Sequence, residues 1–397
     1  MPPSCASNRW IAVAVMVLAT SLSFLDRQVL AALAPSLKRE FHLSNEGYGW
    51  VVAAFSLAYA LAAPPMGLAI DRLGLNRGAA LAVGLWSLAG TATGLAGGLA
   101  SLVACRAALG VAEAGGIPAS GKAFASYLKP HERAMGTAVN QLGISLGLVA
   151  APLFAGAIAG RFGWRAAFVA TGLVGFLWLP LWSGVTRRIP PEAASAAPPA
   201  TVRRLLRDPR LWGLAVANVL LMTVYSLWMN WTTIYLVTAH ALSQAEANRR
   251  LAWIPPVFAS LGGLCGGWLS MRWARAGAGV QSARMRASLV SAAFLLATAA
   301  IPWMPSAGWA TALISLSFFW CVAMSANLYA MPLDLFGAAR AAFAVSVLTF
   351  AYGLMQTFVS PLFGRLIDRY GFEPVCVGTA VLPLAAVGVL QLTRGRS

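Results

Sequence analysis

GLAIDRLGLNR, residues 67–77, is a short charged stretch between two long apolar runs. A shorter copy, GRLIDRYG, recurs at residues 364–371, and GGWLSMRWARAG, residues 266–277, stands at the place expected in the second half of the chain. A G-x-x-x-D-R fragment alone arises easily by chance. The position of the first copy, after the second of many apolar runs, makes it specific and indicates apolar segments joined by charged turns.

The composition places most of the chain in lipid. Hydrophobic residues make up 59% of the 397 residues and charged residues only 10%, against about 25% charged residues in soluble domains. Runs of about 20 apolar residues, long enough to cross a hydrocarbon core of about 30 Å, recur along the entire length. We predict an all-α membrane protein with twelve transmembrane helices. Their predicted bounds are residues 10–35, 47–70, 79–99, 101–121, 135–159, 164–185, 211–238, 250–271, 285–303, 308–332, 341–363 and 373–393.

One polar stretch divides the twelve segments six and six. RRIPPEAASAAPPATVRRLLRDPR, residues 187–210, is rich in Pro and Ala and carries six arginines, which is typical of a cytoplasmic linker with a basic amphipathic piece at the membrane surface. We therefore predict an N-terminal six-helix bundle at residues 1–186, this linker, and a C-terminal six-helix bundle at residues 211–397. Two pseudo-symmetric bundles are typical of transporters in which the bundles rock about a central site.

The basic residues predict the orientation of the chain. If the N-terminus is cytoplasmic, the cytoplasmic loops and tails hold 19 of the 29 lysines and arginines, so both termini are expected on the cytoplasmic side. The net charge of +17 then reflects an inside-positive bias that anionic lipids balance, and we expect membrane lipids and no nucleic acid as partners. We expect a monomeric, multi-pass protein of a bacterial inner (plasma) membrane.

Four ionisable residues fall inside predicted helices: Asp26 and Arg27 in the first, Arg106 and Glu113 in the fourth. Each would cost about 2.5–3.5 kcal/mol near the bilayer centre, so a functional reason for keeping them is expected. In RAALGVAEAGG, residues 106–116, the two charges are seven residues apart, which places them on one helix face with Cα atoms about 10 Å apart along the axis. One face therefore offers a cation and an acid to the same cavity.

Charge counting in this group predicts a mechanism. With both acids ionised the four groups are neutral together; a bound monoanion adds one negative charge, and one proton cancels it. We expect Arg27 or Arg106 to hold a substrate carboxylate, because a guanidinium grips a carboxylate in bidentate fashion. Asp26 and Glu113 would carry the protons. The alternative is that the two charges within each helix form structural ion pairs that hold the helices together.

GLAIDRLGLNR resembles the signature loop of the major facilitator superfamily, and the resemblance extends over essentially the entire chain. Further stretches resemble its anion:cation symporter branch, which includes hexuronate, galactonate, vesicular glutamate and sialic-acid carriers. They are FLDRQVLAALAPSLKREFHLSNEGYGWVVAAFSLAYA (24–60), RAALGVAEAGGIPAS (106–120), YLKPHERAMG (127–136) and WTTIYL (231–236). The resemblance implies the twelve-helix fold of the superfamily and proton-linked acids at Asp26 and Glu113. It also implies that Arg27, Arg106 and Tyr59 face the substrate.

Other polar side chains at mid-helix positions are candidates for substrate binding. Interhelical hydrogen bonding is at least as good an explanation for each of them. The candidates are Tyr59, Gln141, Asn230, Asn327, Tyr352 and Gln356, together with Asn140 beside Gln141.

The signature loop also predicts a gating contact. Asp71, at the cytoplasmic end of the second helix, would approach the N-terminal end of the eleventh helix, whose dipole favours a carboxylate. Arg72 and Arg77 would pair with acids across the gap and complete a latch that favours the outward-open arrangement. Leu75 and Met271 stand where the superfamily usually has a basic and an acidic residue. We therefore expect an asymmetric latch, strong in the N-terminal half and weak in the other.

These patterns together predict a secondary active transporter that takes up a small organic anion, such as a sugar acid or another carboxylate, with protons by alternating access. One alternative is a proton-coupled drug or metabolite exporter of the same superfamily, and an alternative of another class is a non-transporting membrane sensor. An enzyme is not expected, because no cluster of His, Cys and acidic residues is placed for catalysis. We also expect no metal site and no cofactor.

Overall fold

The computed structural model describes residues 4–129, 132–190, 205–336 and 338–394, without the side chains of residues 4–8, 71, 134, 138, 333, 338–342 and 394. Contacts divide the described residues into two compact units. Unit 1 comprises those within Met1–Leu43 and Trp50–Ala196, and unit 2 those within Ser44–Gly49 and Ala197–Ser397. Most of the predicted linker, residues 191–204, lies outside the described residues.

Unit 1 is built from the first helices of the chain. They are α1 (Ser4–Ala32), α2 (Ala34–Glu40), α3 (Asn45–Leu73), α4 (Leu75–Thr93), α5 (Leu99–Glu113), α6 (Gly116–Tyr127) and α7 (Arg133–Arg188). Leu33 separates α1 from α2, and Pro35 lies in the first turn of α2, where the N–H that proline lacks would have no helical partner.

The longest helix, α7, contains a break at Gly163, whose φ of 82° and ψ of 168° are not helical. Glycine adopts this positive φ without the Cβ strain of other residues, so the chain turns there. Before the break, α7 packs along α1, and after it Trp178 donates an Nε1 hydrogen bond to the Val15 carbonyl of α1 at 2.6 Å. Trp178 also stacks on Trp182 at 5.1 Å, so α1 is held firmly against both parts of α7.

Unit 2 contains the remaining helices and the first residues of α3. They are α8 (Pro209–Ala239), α9 (Gln244–Glu246), a π-helix (Ala247–Ala252), α10 (Ile254–Arg275), α11 (Val280–Leu295), a 3-10 helix (Leu296–Trp303), α12 (Ala307–Phe336), α13 (Ala338–Tyr370) and α14 (Glu373–Arg394). Asp208 caps α8 by accepting a hydrogen bond from the Arg210 N–H at 2.9 Å. This bond satisfies one of the first-turn N–H groups that have no carbonyl partner within the helix.

The number of long helices agrees with the prediction. Ten helical segments in the described ranges are long and apolar enough to cross a membrane. One of them, Met135–Arg188, includes the break at Gly163 and therefore supplies two spans. With α4, a further helix of 19 residues, the described part of the chain has twelve. The predicted all-α fold of twelve helices is confirmed.

The second copy of the charged motif, GRLIDRYG, ends α13 in unit 2. Asp368 of this motif accepts hydrogen bonds from the Asn45 N–H at 3.0 Å and the Glu46 N–H at 2.9 Å, and Glu46 pairs with Arg365 at 2.6 Å. The carboxylate thus satisfies free N–H groups in the first turn of α3, where the helix dipole favours negative charge. The aspartate of this motif is therefore suited to binding a helix N-terminus.

The first copy of the motif is only partly described. The side chain of Asp71 lies outside the described residues, as do those of residues 338–342 at the start of α13. Arg72 and Arg77 are exposed, and neither forms an ion pair with a described side chain. The latch formed by Asp71, Arg72 and Arg77 therefore stays a prediction.

Candidate functional site

Unit 1 contains a cavity of about 230 Å³ among helices α1, α3, α4, α5, α6 and α7. Arg27 and Glu113 bring two opposite charges to its wall, and Thr20, Ser120 and Asn140 bring neutral polar groups. The rest of the wall is mostly apolar. A few polar groups converging in an apolar cavity are typical of a small-molecule site.

The two charged residues form an ion pair between α1 and α5. Arg27 directs both Nε, at 3.2 Å, and Nη2, at 2.8 Å, to the same oxygen of Glu113, Oε2. The Glu113 side chain has no exposed surface, whereas that of Arg27 is 22% exposed. Ser23 lies beside the Glu113 carboxylate, but no described donor meets the distance and angle of a hydrogen bond to its other oxygen, Oε1. This pairing joins two helices instead of neighbours within one helix.

Aromatic rings surround the Arg27 guanidinium. Its Cζ lies 4.8 Å from the centre of the Phe24 ring, 4.7 Å from that of Phe55 and 5.0 Å from that of Tyr59. Phe55 also lies 5.0 Å from Cζ of Arg106, so one ring contacts two guanidinium groups. Such contacts stabilise a buried cation through the electron-rich ring faces. The sequence prediction included Tyr59 but missed both phenylalanines, although Phe55 and Tyr59 have the i, i+4 spacing of one helix face.

Close approach of α3 and α5 makes this arrangement possible. A Cβ at Gly110 of α5 would overlap the Phe55 carbonyl oxygen and would come within 3.1 Å of the Tyr59 nitrogen. Because glycine has no Cβ, the backbone of α5 lies directly against that of α3. Gly110 sits between Arg106 and Glu113 on α5, and therefore brings both charged residues to the aromatic residues of α3.

Arg106 lies behind the cavity wall. It is only 2% exposed, and its Nη2 lies 3.5 Å from the main-chain oxygen of Arg27. It is close enough to both Asp26 and Glu113 to act on them electrostatically. Arg106 is absent from the cavity lining, so the structure places it as a partner of the other charged residues.

Asp26 faces away from the cavity. It is 3% exposed, and Gly90 of α4 and Thr171 of α7 lie beside its carboxylate. No described donor meets the distance and angle of a hydrogen bond to either carboxylate oxygen, since the Thr171 hydroxyl donates to the Phe168 carbonyl at 3.1 Å. Of the four charged residues, Arg27 and Glu113 line the cavity, whereas Asp26 and Arg106 do not. Asp26 differs from its neighbour Arg27 because successive residues of a helix point about 100° apart.

The remaining candidate residues of unit 1 also differ in whether they line the cavity. Tyr59 lines the cavity, with its ring stacked on Phe55 at 5.8 Å. Gln141 is exposed and does not line this cavity, whereas its neighbour Asn140 does. One residue along a helix is enough to move a side chain from the wall to the surface.

The candidates of unit 2 lie on three helices. Asn230 of α8 donates to the Ser226 carbonyl at 2.9 Å, one turn earlier. Tyr352 of α13 lies edge-on to Tyr225, with ring centres 6.5 Å apart, and Gln356 is half-buried one turn further along. Asn327 of α12 is fully buried. The two cavities of unit 2 that Arg210 and Asp334 line do not include any of these four residues.

Asn327 has the contacts of a packing residue. Its Nδ2 donates to the carbonyls of Gly266 and Ala323, both at 3.0 Å. We expect Asn327→Ala to lower the free energy of unfolding by about 0.6–1.7 kcal/mol, the range of interhelical hydrogen bonds in membranes. The apparent affinity for the transported substrate should not change. Thermal unfolding in detergent and uptake kinetics measure the two; a changed KM at unchanged stability would show that Asn327 contacts substrate instead.

Potential metal ligands do not cluster in the described part of the chain. No group of three or more His, Cys, Asp or Glu side chains is placed there to hold a metal ion. The cavity chemistry in the described residues is that of an arginine, a carboxylic acid, hydroxyls and an amide, which together recognise anions and hydroxyl groups.

Comparison with known proteins agrees with this architecture. The sequence model of the Major Facilitator Superfamily matches residues 16–359. The hexuronate transporter of Escherichia coli (strain K12) is 28% identical over 96% of this chain and 93% of its own. A Cupriavidus necator protein named "probable sulfoacetate transporter" is also 28% identical, over 96% of this chain and 93% of its own.

A solved structure shares the fold. The crystal structure of a bacterial homolog of the human lysosomal transporter Spinster has a TM-score of 0.76 and 20% sequence identity, covering 96% of this chain and 94% of that chain. The family match confirms the resemblance seen in the signature loop. The chain therefore belongs to the Major Facilitator Superfamily, as a multi-pass membrane transporter related to sugar-acid and other organic-anion transporters.

Proposed function

We propose that this protein is a secondary active transporter that couples uptake of a small organic anion, such as a sugar acid, to protons. The observation that carries the proposal is the buried Arg27–Glu113 ion pair in the wall of the unit 1 cavity. Similarity to a hexuronate transporter and to a protein named for sulfoacetate supports it, because both names refer to anions.

The geometry of the pair supports coupling between anion and proton. Nε and Nη2 of Arg27 both point to Glu113 Oε2, so a substrate carboxylate would compete with Glu113 for the same two donors. A proton on Glu113 removes its charge and weakens its hold on Arg27. Anion and proton then each favour binding of the other, and this linkage is reciprocal.

Asp26 provides a second place for a proton. Its carboxylate is buried without a hydrogen bond from the described residues, a condition that penalises the charged form. Arg106 lies within electrostatic range of both acids and would link Asp26 to the pair at the cavity. One proton per monoanion gives electroneutral uptake, and two would make uptake respond to the membrane potential.

The other parts of the proposal rest on the sequence patterns described above. Both termini are cytoplasmic, the protein acts as a monomer in a bacterial inner membrane, and Asp71 with Arg72 and Arg77 forms the latch. Substrate contacts in unit 1 come from Arg27 and Tyr59. Asn230, Tyr352 and Gln356 stay candidates from unit 2.

A proteoliposome assay tests the function directly. Purified protein is reconstituted, an acid-outside pH gradient is imposed, and accumulation of labelled organic acids is measured, beginning with D-glucuronate. Accumulation that collapses when a protonophore removes the gradient would support symport. Expulsion of a cationic dye without uptake of any acid would indicate an exporter, and saturable binding without accumulation would indicate a sensor.

Phe55 should be important for anion affinity because its ring contacts both arginines. We expect Phe55→Leu to raise the KM for the organic acid about 2- to 30-fold, the equivalent of losing a cation–π contact of about 0.5–2 kcal/mol. Phe55→Tyr keeps the ring and should behave like the wild type. Initial rates of proton-driven uptake give both values, and an unchanged KM in Phe55→Leu would contradict a role for the ring.

A further inference from the structure

Three neutral polar residues meet in the cavity wall and form what we call the hydroxyl subsite: Thr20 of α1, Ser120 of α6 and Asn140 of α7. The Thr20 hydroxyl donates to Asn140 Oδ1 at 2.8 Å, and its oxygen lies 3.3 Å from Ser120 Oγ. All three line the same cavity as Arg27 and Glu113. The cavity therefore has a charged group and a separate neutral polar group.

The two groups are separated along α1. Thr20 and Arg27 are seven residues apart, so they lie on one face of the helix with Cα atoms about 10 Å apart along the axis. A small acid whose carboxylate lies at Arg27 would extend its chain toward Thr20. The far end of that chain meets side chains without a formal charge.

The chemistry of the subsite suits a hydroxyl group. Hydroxyl and amide side chains both donate and accept hydrogen bonds, as does a sugar hydroxyl, whereas a second carboxylate or a sulfonate accepts only. The Asn140 amide nitrogen has no hydrogen-bond partner among the described residues. Ser120 is only 5% exposed, so its hydroxyl has little access to water except through the cavity. A substrate chain without polar groups would fill the cavity and leave that hydroxyl without a partner from the substrate.

We infer that Thr20, Ser120 and Asn140 bind a hydroxyl group of the substrate and thereby select polyhydroxylated acids over acids of similar size without hydroxyls. The inference rests on the proposed function, because it assumes an organic anion held at Arg27. A site built to hydrogen-bond a hydroxyl rejects the analogue that lacks it, since the polar groups of the site are then left unpaired. Sulfoacetate presents a second charged group that accepts hydrogen bonds but donates none, so the acceptor oxygens of the subsite would be left unpaired.

Counterflow exchange with competitors tests the subsite. Exchange of labelled D-glucuronate is measured without a pH gradient, so that a weak acid cannot dissipate the driving force. Unlabelled D-gluconate, hexanoate and sulfoacetate are added as competitors. In the wild type we expect D-gluconate to compete at least about tenfold better than hexanoate or sulfoacetate, as expected when buried polar groups would be left unsatisfied.

The variants remove one hydroxyl each. Thr20→Val and Ser120→Ala should weaken competition by D-gluconate about tenfold or more and leave that by hexanoate unchanged. Thr137→Val is the matched control, because Thr137 lines the cavity but its hydroxyl donates to the Arg133 carbonyl at 3.1 Å. The control should keep the wild-type preference.

Two results would overturn the subsite, and they differ from failure of the proposed function. If the wild type exchanges acids but hexanoate competes as well as D-gluconate, the subsite is wrong and anion transport stands. If Thr20→Val and Ser120→Ala weaken both competitors equally while the unfolding temperature falls, the three residues only hold helices together. If the wild type accepts no acid at all in either assay, the proposed function is wrong and the subsite with it.

Discussion

Replacing Glu113 with glutamine is expected to abolish pH-driven accumulation of the organic acid while leaving counterflow exchange close to the wild-type rate. Glutamine has the shape of protonated glutamic acid and holds no charge, so the variant resembles the proton-loaded carrier permanently. The neutral amide competes for Arg27 more weakly than a carboxylate does, so the guanidinium binds the substrate carboxylate. Phe24, Phe55 and Tyr59 keep the guanidinium in place, since their ring centres lie within 5.0 Å of its Cζ.

The two assays separate coupling from structure. Accumulation is measured with an acid-outside gradient, and exchange is measured with equal pH on both sides. Glu40→Gln is the matched control, because Glu40 also pairs with an arginine, Arg165 at 2.9 Å, but both side chains are more than 40% exposed. Accumulation that persists in Glu113→Gln would contradict proton coupling at this site. Loss of folded protein from the membrane would instead favour a structural ion pair.

Much of the fold could be predicted from the sequence because lipid imposes a simple rule on each segment. A run of about 20 apolar residues must form a helix, since every backbone polar group in lipid needs an internal partner. Local irregularities were not predictable in this way. The segment at 285–303 reads as one helix, but it is α-helical only to Leu295 and continues as the 3-10 helix Leu296–Trp303. An α-helix and a 3-10 helix are both compatible with the same run of apolar residues.

The candidate site shows where sequence patterns stop being informative. Spacing predicts that Arg106 and Glu113 share one side of α5, and both are buried, but only Glu113 lines the cavity. Spacing does not say which helix approaches that side, so the pair between Arg27 and Glu113 could not be read from either segment alone. The separation of Asp26 from the cavity could have been predicted once Arg27 was placed in its wall, because adjacent residues of a helix point in different directions.

Neutral polar residues were the hardest to assign. Thr20 and Ser120 lie in apolar helices where a hydroxyl usually bonds its own backbone, and nothing in their local sequence marks them as cavity residues. Asn327 is a candidate binding residue from its position in the middle of a helix, and in the structure its amide nitrogen donates to two backbone carbonyls. Tertiary contacts decide whether such a residue lines a cavity or bonds the backbone of another helix, and these contacts cannot be predicted from one sequence.

Arg27→Gln is expected to destabilise the protein by about 3–5 kcal/mol, the cost of leaving a buried charge without its partner. The Glu113 side chain is fully buried, so its carboxylate cannot recover hydration when the guanidinium is lost. The double variant Arg27→Gln with Glu113→Gln removes both charges and should return most of that stability. Thermal unfolding in detergent measures the recovery. Removing both charges of the exposed pair Arg165–Glu40 is the control and should change stability by less than about 1 kcal/mol.

Transport by the double variant distinguishes a substrate clamp from a structural pair. If Arg27 holds the substrate carboxylate, the double variant folds but neither binds nor exchanges the acid, because the two donors that grip the carboxylate are gone. Arg27→Lys should fold and exchange with a raised KM, since an ammonium keeps the charge but lacks the planar fork that matches a carboxylate. A folded double variant that exchanges the acid at the wild-type KM would remove Arg27 from the binding site and leave it as a partner of Glu113 alone.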